Sequence, residues 1–241
     1  MNAPPPRAVL WDMDGTLALS EPLHMHTLIA ALAHYGIQAG DELHPLMFGR
    51  TGLDVYRICR ERFGIEADFD TWSALRAARY VAEAPQLEAR PGALELWRAA
   101  HAAGLRQAIV SNAGRMLLEA NLNALGLQAP GRVSVSASDV RNGKPDPEGY
   151  LRAAYLLDVA PAEAIAIEDS PTGARAALAA GMRVLGWPDA GASEANANFP
   201  HGTQIVRSAR EIAAALGLPG ALFFEPASEP ASEPSPHTTP C

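Results

Sequence analysis

The chain has 241 residues, of which 48 % are hydrophobic and 19 % are charged, and its formal net charge is −8. This composition is typical of a soluble globular protein that forms one large domain or two small ones. The acidic balance argues against a nucleic-acid partner, because no stripe of Lys and Arg is present to neutralise the phosphates of a duplex. A small phosphorylated ligand remains compatible with it, since such a ligand needs only one or two local cations and a metal.

The cysteines and the chain start argue against two further classes of protein. Cys59 and Cys241 lie far apart and neither has metal-ligand spacing around it, so we expect no disulfide or zinc framework. No apolar run approaches the ~20 residues that span a bilayer. The first residues, Met-Asn-Ala-Pro-Pro-Pro, lack the basic-then-apolar pattern of a signal peptide. The sequence therefore predicts a cytoplasmic protein without membrane contacts.

Short apolar runs that end in polar residues alternate with helix-like stretches through most of the chain. Five runs are predicted strands: 8–11, 106–110, 164–167, 184–187 and 205–206. Four stretches between them have helical spacing: 93–103, 116–125, 148–157 and 172–180. Glycine follows three of these stretches, where a left-handed helix end would place it. The alternation predicts a doubly wound, Rossmann-like α/β core with a mainly parallel sheet.

Residues 21–88 interrupt this alternation, because they carry almost no strand signal. Three helix-like pieces, 23–35, 53–63 and 71–83, are separated by glycines and by the polar run 41–45. We call residues 21–88 the helical insert and predict that they form a small all-helical domain, with 1–20 and 89–224 forming the core. Residues 225–241 are rich in Pro, Ser and Glu without a large aliphatic or aromatic side chain, which predicts a disordered tail.

Four polar clusters lie at strand ends or in loops between the predicted elements. They are Asp12-Met13-Asp14-Gly15-Thr16, Ser111-Asn112, Lys144-Pro145-Asp146-Pro147 and Glu168-Asp169-Ser170. Ligands of open α/β sheets bind at the carboxyl edge of the strands, so we expect these clusters to lie close together. Each cluster alone is also typical of a turn or a helix cap. Four in this order, three of them directly after a strand, indicate a shared site.

The residue types in the clusters are those that phosphoryl transfer to a carboxylate requires. Lys144 would place positive charge beside the phosphoryl group, and the Ser111 hydroxyl would bind one of its oxygens, because negative charge spreads over those oxygens in the transition state. Asp14 is suited to protonating the leaving group and then activating water. The candidate ligands of Mg²⁺ are all oxygen donors. They are Asp12, Asp14 through its backbone, Glu168 and Asp169.

In order and in residue type, these clusters resemble the motifs of the haloacid dehalogenase superfamily of phosphohydrolases. The helical insert resembles the small cap domain of that superfamily, and the most similar branch contains β-phosphoglucomutase and the sugar-phosphate or phosphoglycolate phosphatases. The resemblance implies a Mg²⁺-dependent phosphatase that hydrolyses a small phosphorylated metabolite through an aspartyl-phosphate. A non-catalytic protein on a degenerate version of the fold would have lost a nucleophile or a metal carboxylate, and none is lost here.

The resemblance also implies a role for each motif residue. Asp12 becomes the nucleophile and a metal ligand, and Asp14 the general acid and base as well as a backbone ligand. The implied phosphate-binding residues are Ser111, Asn112 and Lys144. The implied acidic metal site consists of Glu168 and Asp169.

Two residues of the helical insert resemble substrate-side positions of the same branch. His24 resembles a hinge histidine, and Arg50 resembles a cap-loop arginine that reaches a second anionic or hydroxylated group of the substrate. A solvent-facing helix histidine and a plain surface arginine are equally compatible with the sequence.

The choice between phosphatase and phosphomutase depends on two departures from the mutase pattern. Phosphoglucomutases carry a lysine soon after a Tyr-Val pair in the cap, but here Ala82 follows Tyr80-Val81. Thr16 also stands where the mutase tends to have Val. Both departures favour a phosphatase, with a β-phosphoglucomutase-like phosphomutase as the alternative should Arg76 or Arg79 supply the missing charge.

Overall fold

The computed structural model of this protein describes residues 5–40, 43, 50–189 and 198–219. The predicted tail 225–241 and most of the polar run 41–45 lie outside these residues. Within the described ranges, no helix combines the length and the hydropathy that a membrane crossing requires.

The core contains a parallel sheet whose strand order reverses at its centre. Its strands are β1 (Ala8–Trp11), β2 (Arg106–Val110), β3 (Val133–Val135), β4 (Ala164–Glu168), β5 (Arg183–Gly186) and β6 (Thr203–Ile205). All pairs are parallel, and their order is β3-β2-β1-β4-β5-β6. This is the order of a doubly wound Rossmann-like sheet, so the fold prediction is confirmed. The five predicted strands are present, whereas the three-residue β3 at the sheet edge was not predicted.

Helices cover both faces of this sheet and also form the helical insert. They are α1 (Glu21–His34), α2 (Gly52–Phe63), α3 (Phe69–Glu83), α4 (Ala93–Ala102), α5 (Arg115–Ala124), α6 (Glu148–Leu156), α7 (Pro171–Ala179) and α8 (Ala209–Leu216). Glycines in the left-handed conformation follow α4, α5 and α7, as predicted. Helix α8 was not predicted.

Alternation along the strands divides the core into two apolar layers. In β1, Val9 and Trp11 belong to the buried cluster that includes side chains of α4, α5 and α8. Ala8 and Leu10 belong to the opposite cluster, with side chains of α6 and α7. All four residues are fully buried, as expected for a parallel sheet that is covered on both faces. The polar residues that follow β1 therefore emerge at an edge rather than on a face of the sheet.

Helices α1, α2 and α3 surround an apolar cluster of their own. Leu28, Leu32, Tyr56, Cys59 and Trp72 are among its buried members. Local signals define two of these helices, because the side chains of Thr51 and Asp68 accept hydrogen bonds from the first turns of α2 and α3. The helical insert thus has an apolar cluster of its own.

The two chain crossings between the core and the helical insert lie side by side. The Leu19 amide donates to Glu88 O at 2.9 Å, and the Arg90 amide donates to Leu17 O at 3.0 Å. The buried Arg90 guanidinium donates to Gly15 O at 2.8 Å and to the carbonyl groups of Trp187 and Pro188. The insert is therefore joined to the core directly beside the loop that carries Asp12 and Asp14.

Candidate active site

The carboxyl ends of β1 and β4 bring the first and last motifs together. Trp11 and Ile167 are paired in register, and the Asp12 amide continues the ladder by donating to Ile167 O at 3.0 Å. Asp12 and Glu168 consequently lie next to each other at the point where the strand order reverses. Crevices for ligands in doubly wound sheets form at this point.

Lys144 links the third motif to both of these carboxylates. Its Nζ donates to Asp12 Oδ1 at 2.5 Å, to Glu168 Oε1 at 2.7 Å and to Val110 O at 2.8 Å. Burial opposes the charge on this ammonium group, but Asp12 and Glu168 outweigh that effect and raise the pKa of Lys144 above its usual value. Lys144 is thus a buried, fixed cation with all of its donors occupied.

Three buried carboxylates surround that single ammonium. Oxygens of Asp12, Glu168 and Asp169 lie within 4.8 Å of one another. Burial raises the pKa of Asp12, and the neighbouring carboxylates raise it further against the opposing effect of Lys144. The pKa of Asp169 is raised for the same reasons, burial first and then Asp12 and Glu168. Such an oxygen-only cluster with surplus negative charge fits a hard divalent cation such as Mg²⁺.

Two glycines allow these carboxylates to lie so close to the backbone. Gly15 has a φ of +87°, and a Cβ on it would lie 2.2 Å from Asp169 Oδ2. A Cβ on Gly173, in the first turn of α7, would lie 1.9 Å from Glu168 Oε1. Substitution at either position would displace a member of the cluster. A glycine inside a helix-like stretch was the available sequence signal for Gly173.

The Glu168 carboxylate has further partners that the sequence did not reveal. The Tyr150 hydroxyl of α6 donates to Glu168 Oε1, and Ser170 Oγ donates to Oε2 at 3.3 Å. Glu168 and Tyr150 are both fully buried. Burial and the Glu168 charge raise the pKa of Tyr150 well above its usual value, so it stays a neutral donor. No motif marks Tyr150, because its side chain reaches the site from the buried face of a helix.

Asp14 differs from Asp12 in that donors surround it. Its Oδ1 accepts from Ser20 Oγ at 2.7 Å, from His24 Nε2 at 3.1 Å and from Asn121 Nδ2 at 3.1 Å, while Oδ2 accepts from Ser111 Oγ at 3.0 Å. Burial opposes its ionisation, but the hydrogen bonds from His24, Ser20 and Ser111 prevail and lower its pKa to about 2. Asp14 is therefore a carboxylate in this structure.

His24 and Asn112 have specific positions among these residues. The His24 side chain is only 15 % exposed and contacts Asp14, so it is not a solvent-facing helix histidine. The Asn112 side chain is occupied by the backbone of Lys144, with Nδ2 donating to Lys144 O at 3.1 Å and Oδ1 accepting from the Lys144 amide at 2.8 Å. Asn112 thus positions Lys144. Its contact with phosphate stays a prediction, and because the side chain is occupied, the backbone N–H of Asn112 would have to make that contact.

A cavity of about 480 Å³ lies between this edge of the core and the helical insert. Asp12, Asp14 and Lys144 line it from the core, and Arg50 and Arg76 line it from the insert. Arg50 is exposed. The cavity therefore connects the carboxylate cluster with the two arginines.

Of the two cations considered as replacements for the missing lysine, Arg76 is the one that reaches the cavity. Its guanidinium lies 4.9 Å from the centroid of the Trp72 ring, and Nη2 donates to His24 O at 3.3 Å. Its buried Nε has no hydrogen-bond partner among the described residues. Burial lowers the pKa of Arg76 to about 10, which still leaves it charged at neutral pH. Arg79 is paired with Glu83 on the exposed side of α3.

Known proteins with similar sequences include a matching hydrolase family and several proteins named as phosphatases. The family of haloacid dehalogenase-like hydrolases matches residues 6–181. Hexitol phosphatase A of Escherichia coli (strain K12) is 32 % identical over 182 residues, which are 74 % of this chain and 82 % of that protein. Validoxylamine A 7'-phosphate phosphatase of Streptomyces hygroscopicus subsp. limoneus is 29 % identical over 180 residues, 75 % of this chain and 84 % of that protein.

Two solved structures of a CbbY protein have an architecture similar to that of this chain. CbbY from Rhodobacter sphaeroides in complex with phosphate has a TM-score of 0.79 and 28 % identity, with 88 % of this chain and all of that chain covered. A variant of that CbbY in complex with xylulose-(1,5)bisphosphate has a TM-score of 0.78 and 27 % identity, with 88 % and 99 % covered. The match therefore includes both the core and the helical insert.

Proposed function

Since this chain belongs to the haloacid dehalogenase-like hydrolase family, we propose that it is a Mg²⁺-dependent phosphatase of a small phosphorylated metabolite, with Asp12 as nucleophile. The substrate class is a sugar phosphate or a similar phosphomonoester. The observation that carries the proposal is the buried contact of Lys144 with Asp12 and Glu168 beside Asp169. A cation and three carboxylates in this arrangement suit the stabilisation of a phosphoryl group better than any structural role, because buried charges cost folding free energy.

Asp12 supplies the attacking oxygen in the proposed first step. A bond forms between an Asp12 carboxylate oxygen and phosphorus while the bond from phosphorus to the leaving oxygen breaks, which leaves an aspartyl-phosphate. Lys144 holds the Asp12 carboxylate in place and adds positive charge beside the phosphoryl oxygens. Bound to Asp12, Glu168, Asp169 and the Asp14 backbone, Mg²⁺ would neutralise the surplus carboxylate charge and polarise a phosphoryl oxygen.

Asp14 carries the proton in both steps of the proposed reaction. As a carboxylic acid it gives its proton to the leaving oxygen. As a carboxylate it takes a proton from the water that attacks phosphorus, while the bond between phosphorus and the Asp12 oxygen breaks and inorganic phosphate is released. In this structure the surrounding donors stabilise the carboxylate form of Asp14 and lower its pKa to about 2. The Ser111 hydroxyl donates to Asp14 Oδ2 in this structure, and we propose that it turns towards a phosphoryl oxygen when the substrate binds.

The helical insert is proposed to act as a cap that selects the substrate. Arg50 and Arg76 line the cavity opposite Asp12, and a guanidinium recognises anionic or hydroxylated groups through several directed donors. We infer a substrate with such a group at its far end. The xylulose-(1,5)bisphosphate bound to a CbbY variant has this character. A phosphomutase is not favoured, because several of the sequence relatives are named as phosphatases.

A phosphate-release screen tests the proposal directly. Purified protein would be assayed against sugar phosphates, sugar bisphosphates and phosphorylated acids in Mg²⁺, in Ca²⁺ and in excess EDTA, with Asp12→Asn prepared in parallel. We expect release only with Mg²⁺ and inhibition by Ca²⁺, which takes more ligands at longer distances. Full activity in EDTA would overturn the metal assignment. Equal release by Asp12→Asn would overturn the nucleophile, and a phosphorylated product without free phosphate would indicate a mutase.

A further inference from the structure

Asn121 is a fully buried polar residue of the core helix α5 that no motif marks. Its Nδ2 donates to Asp14 Oδ1 at 3.1 Å, across 107 positions of sequence. Its Oδ1 accepts a hydrogen bond of 2.9 Å from the hydroxyl of Tyr80, which belongs to α3 of the helical insert. One side chain therefore bridges the proposed acid–base residue and the insert.

The orientation of the Asn121 amide links its two hydrogen bonds, because the group that faces Asp14 decides which atom faces Tyr80. An ionised carboxylate only accepts hydrogen bonds, so the amide must present its NH₂ group to Asp14 and its oxygen to the opposite side. That oxygen is buried and needs a donor, which the Tyr80 hydroxyl supplies. Loss of the hydroxyl would leave a buried acceptor unpaired, which is unfavourable. The amide would then no longer be held in the orientation that serves Asp14.

Tyr80 contacts a second donor of Asp14 as well. Its ring lies over the His24 ring with the centroids 4.7 Å apart. Tyr80 is also buried with Ala84 and Ala120 in an apolar cluster that joins the end of α3 to α5. The packing of the insert against the core thus sets the position of Tyr80, and Tyr80 in turn contacts two of the side chains that hold Asp14.

We propose that Asn121 is a positioning residue for Asp14, and that Tyr80 positions Asn121 from the helical insert. This inference rests on the proposed function, because it assigns a purpose to the orientation of Asp14. Asp14 must face the leaving oxygen within hydrogen-bond reach, and small errors in such placement reduce rates strongly. The acid–base residue is then fully oriented only when the insert packs on the core as it does here.

The leaving group of the substrate provides the test. A sugar or alkyl leaving group needs the Asp14 proton, whereas p-nitrophenolate leaves without it. The kcat/KM value covers the steps up to departure of the leaving group, so it isolates this difference. We expect Asn121→Leu to lower kcat/KM by about 10- to 100-fold on the best sugar phosphate and by less than about 3-fold on p-nitrophenyl phosphate. Tyr80→Phe, which keeps the ring, should act in the same direction by about 3- to 10-fold.

Matched variants separate positioning from general destabilisation. Tyr56→Phe removes a buried hydroxyl that donates to Ala67 O inside the insert, and Asn123→Leu changes an exposed residue of α5; both should retain kcat/KM on either substrate. The double variant Asn121→Leu/Tyr80→Phe should lose no more than Asn121→Leu alone, because both changes act through one contact.

Equal losses on the two substrates, or no loss on either, would overturn the inference while the proposed function stands. An inactive wild-type protein would instead overturn the proposed function. Should Asn121→Leu fail to fold, the substrate dependence of Tyr80→Phe decides the question in the same way.

Discussion

The core and the helical insert border the same cavity, but their polar side chains differ in how completely they are hydrogen-bonded. On the core side, Lys144 makes three hydrogen bonds and Asp14 accepts four. On the insert side, Arg76 leaves a buried Nε without a partner among the described residues, and Arg50 is exposed. The difference supports the proposed function, in which the reacting groups are organised before a substrate arrives and the insert keeps donors available for the substrate itself.

The largest expected effect is the loss of the nucleophile on the core side. Asp12→Asn should reduce phosphate release at least about 1000-fold, because an amide cannot form the acyl-phosphate bond. The far-ultraviolet circular dichroism should be unchanged, since the amide still accepts from Lys144. Asp158→Asn, which changes a side chain that is 98 % exposed, is the control and should be fully active. Activity of Asp12→Asn near that of wild type would show that the core edge is not the reacting side.

Removal of the buried cation should affect stability as well as activity. Lys144→Met leaves Asp12 and Glu168 without their shared partner, so the free energy of unfolding at pH 7 should fall by about 3–5 kcal/mol. Urea unfolding in EDTA would measure this loss. Arg7→Met, which breaks an exposed ion pair with Glu163, should cost less than about 1 kcal/mol. Similar losses in the two variants would contradict the view that Lys144 organises the core edge.

Loss of the buried arginine at the cavity side of the insert should change substrate binding more than chemistry. Arg76→Met should raise KM about 10- to 100-fold on a substrate with a second anionic group and leave kcat within about 3-fold, since it removes a contact that is equally strong in ground and transition states. Arg79→Met, on the exposed side of the same helix, is the control and should change neither constant. An unchanged kcat/KM in Arg50→Ala and His24→Ala together would show that these two residues do not serve the substrate.

The smallest expected effect concerns Asp139, which accepts hydrogen bonds from Ser136 and Arg115. Burial opposes its ionisation, but the hydrogen bonds from Ser136 and the Arg115 charge lower the pKa of Asp139 below 3.8. Its stabilising contribution is therefore present above that pH and is lost as the pH falls through the lowered folded-state pKa.

Urea unfolding at two pH values tests this contribution. Asp139→Asn should destabilise the protein by about 1 kcal/mol at pH 7, and the difference from wild type should shrink at a pH below the folded-state pKa. The exposed Asp70→Asn is the control and should show no difference at pH 7. A loss of stability that is independent of pH would show that the charge of Asp139 contributes nothing.

The sequence alone determined the parallel core, most of its strands and helices, and the residues at the carboxyl edge. Strands and helices follow from local periodicity, and a parallel sheet brings the ends of its strands to one edge, so Asp12 and Glu168 had to meet. The sequence signals of secondary structure were weakest where elements are short or peripheral. Strand β3 has only three residues, and one of them is the polar Ser134. Helix α8 lies near the end of the described chain.

Only the tertiary structure decided which helix side chains complete the site. Tyr150 on Glu168, Asn121 on Asp14 and Arg76 at the cavity all project from helices whose local pattern looks like ordinary packing. Their partners are contributed by distant parts of the chain, and the rotation of each helix against the sheet or the insert determines which side chain reaches inward. Local periodicity specifies that a helix buries one face, but the contacts of that face depend on the packing of the whole molecule.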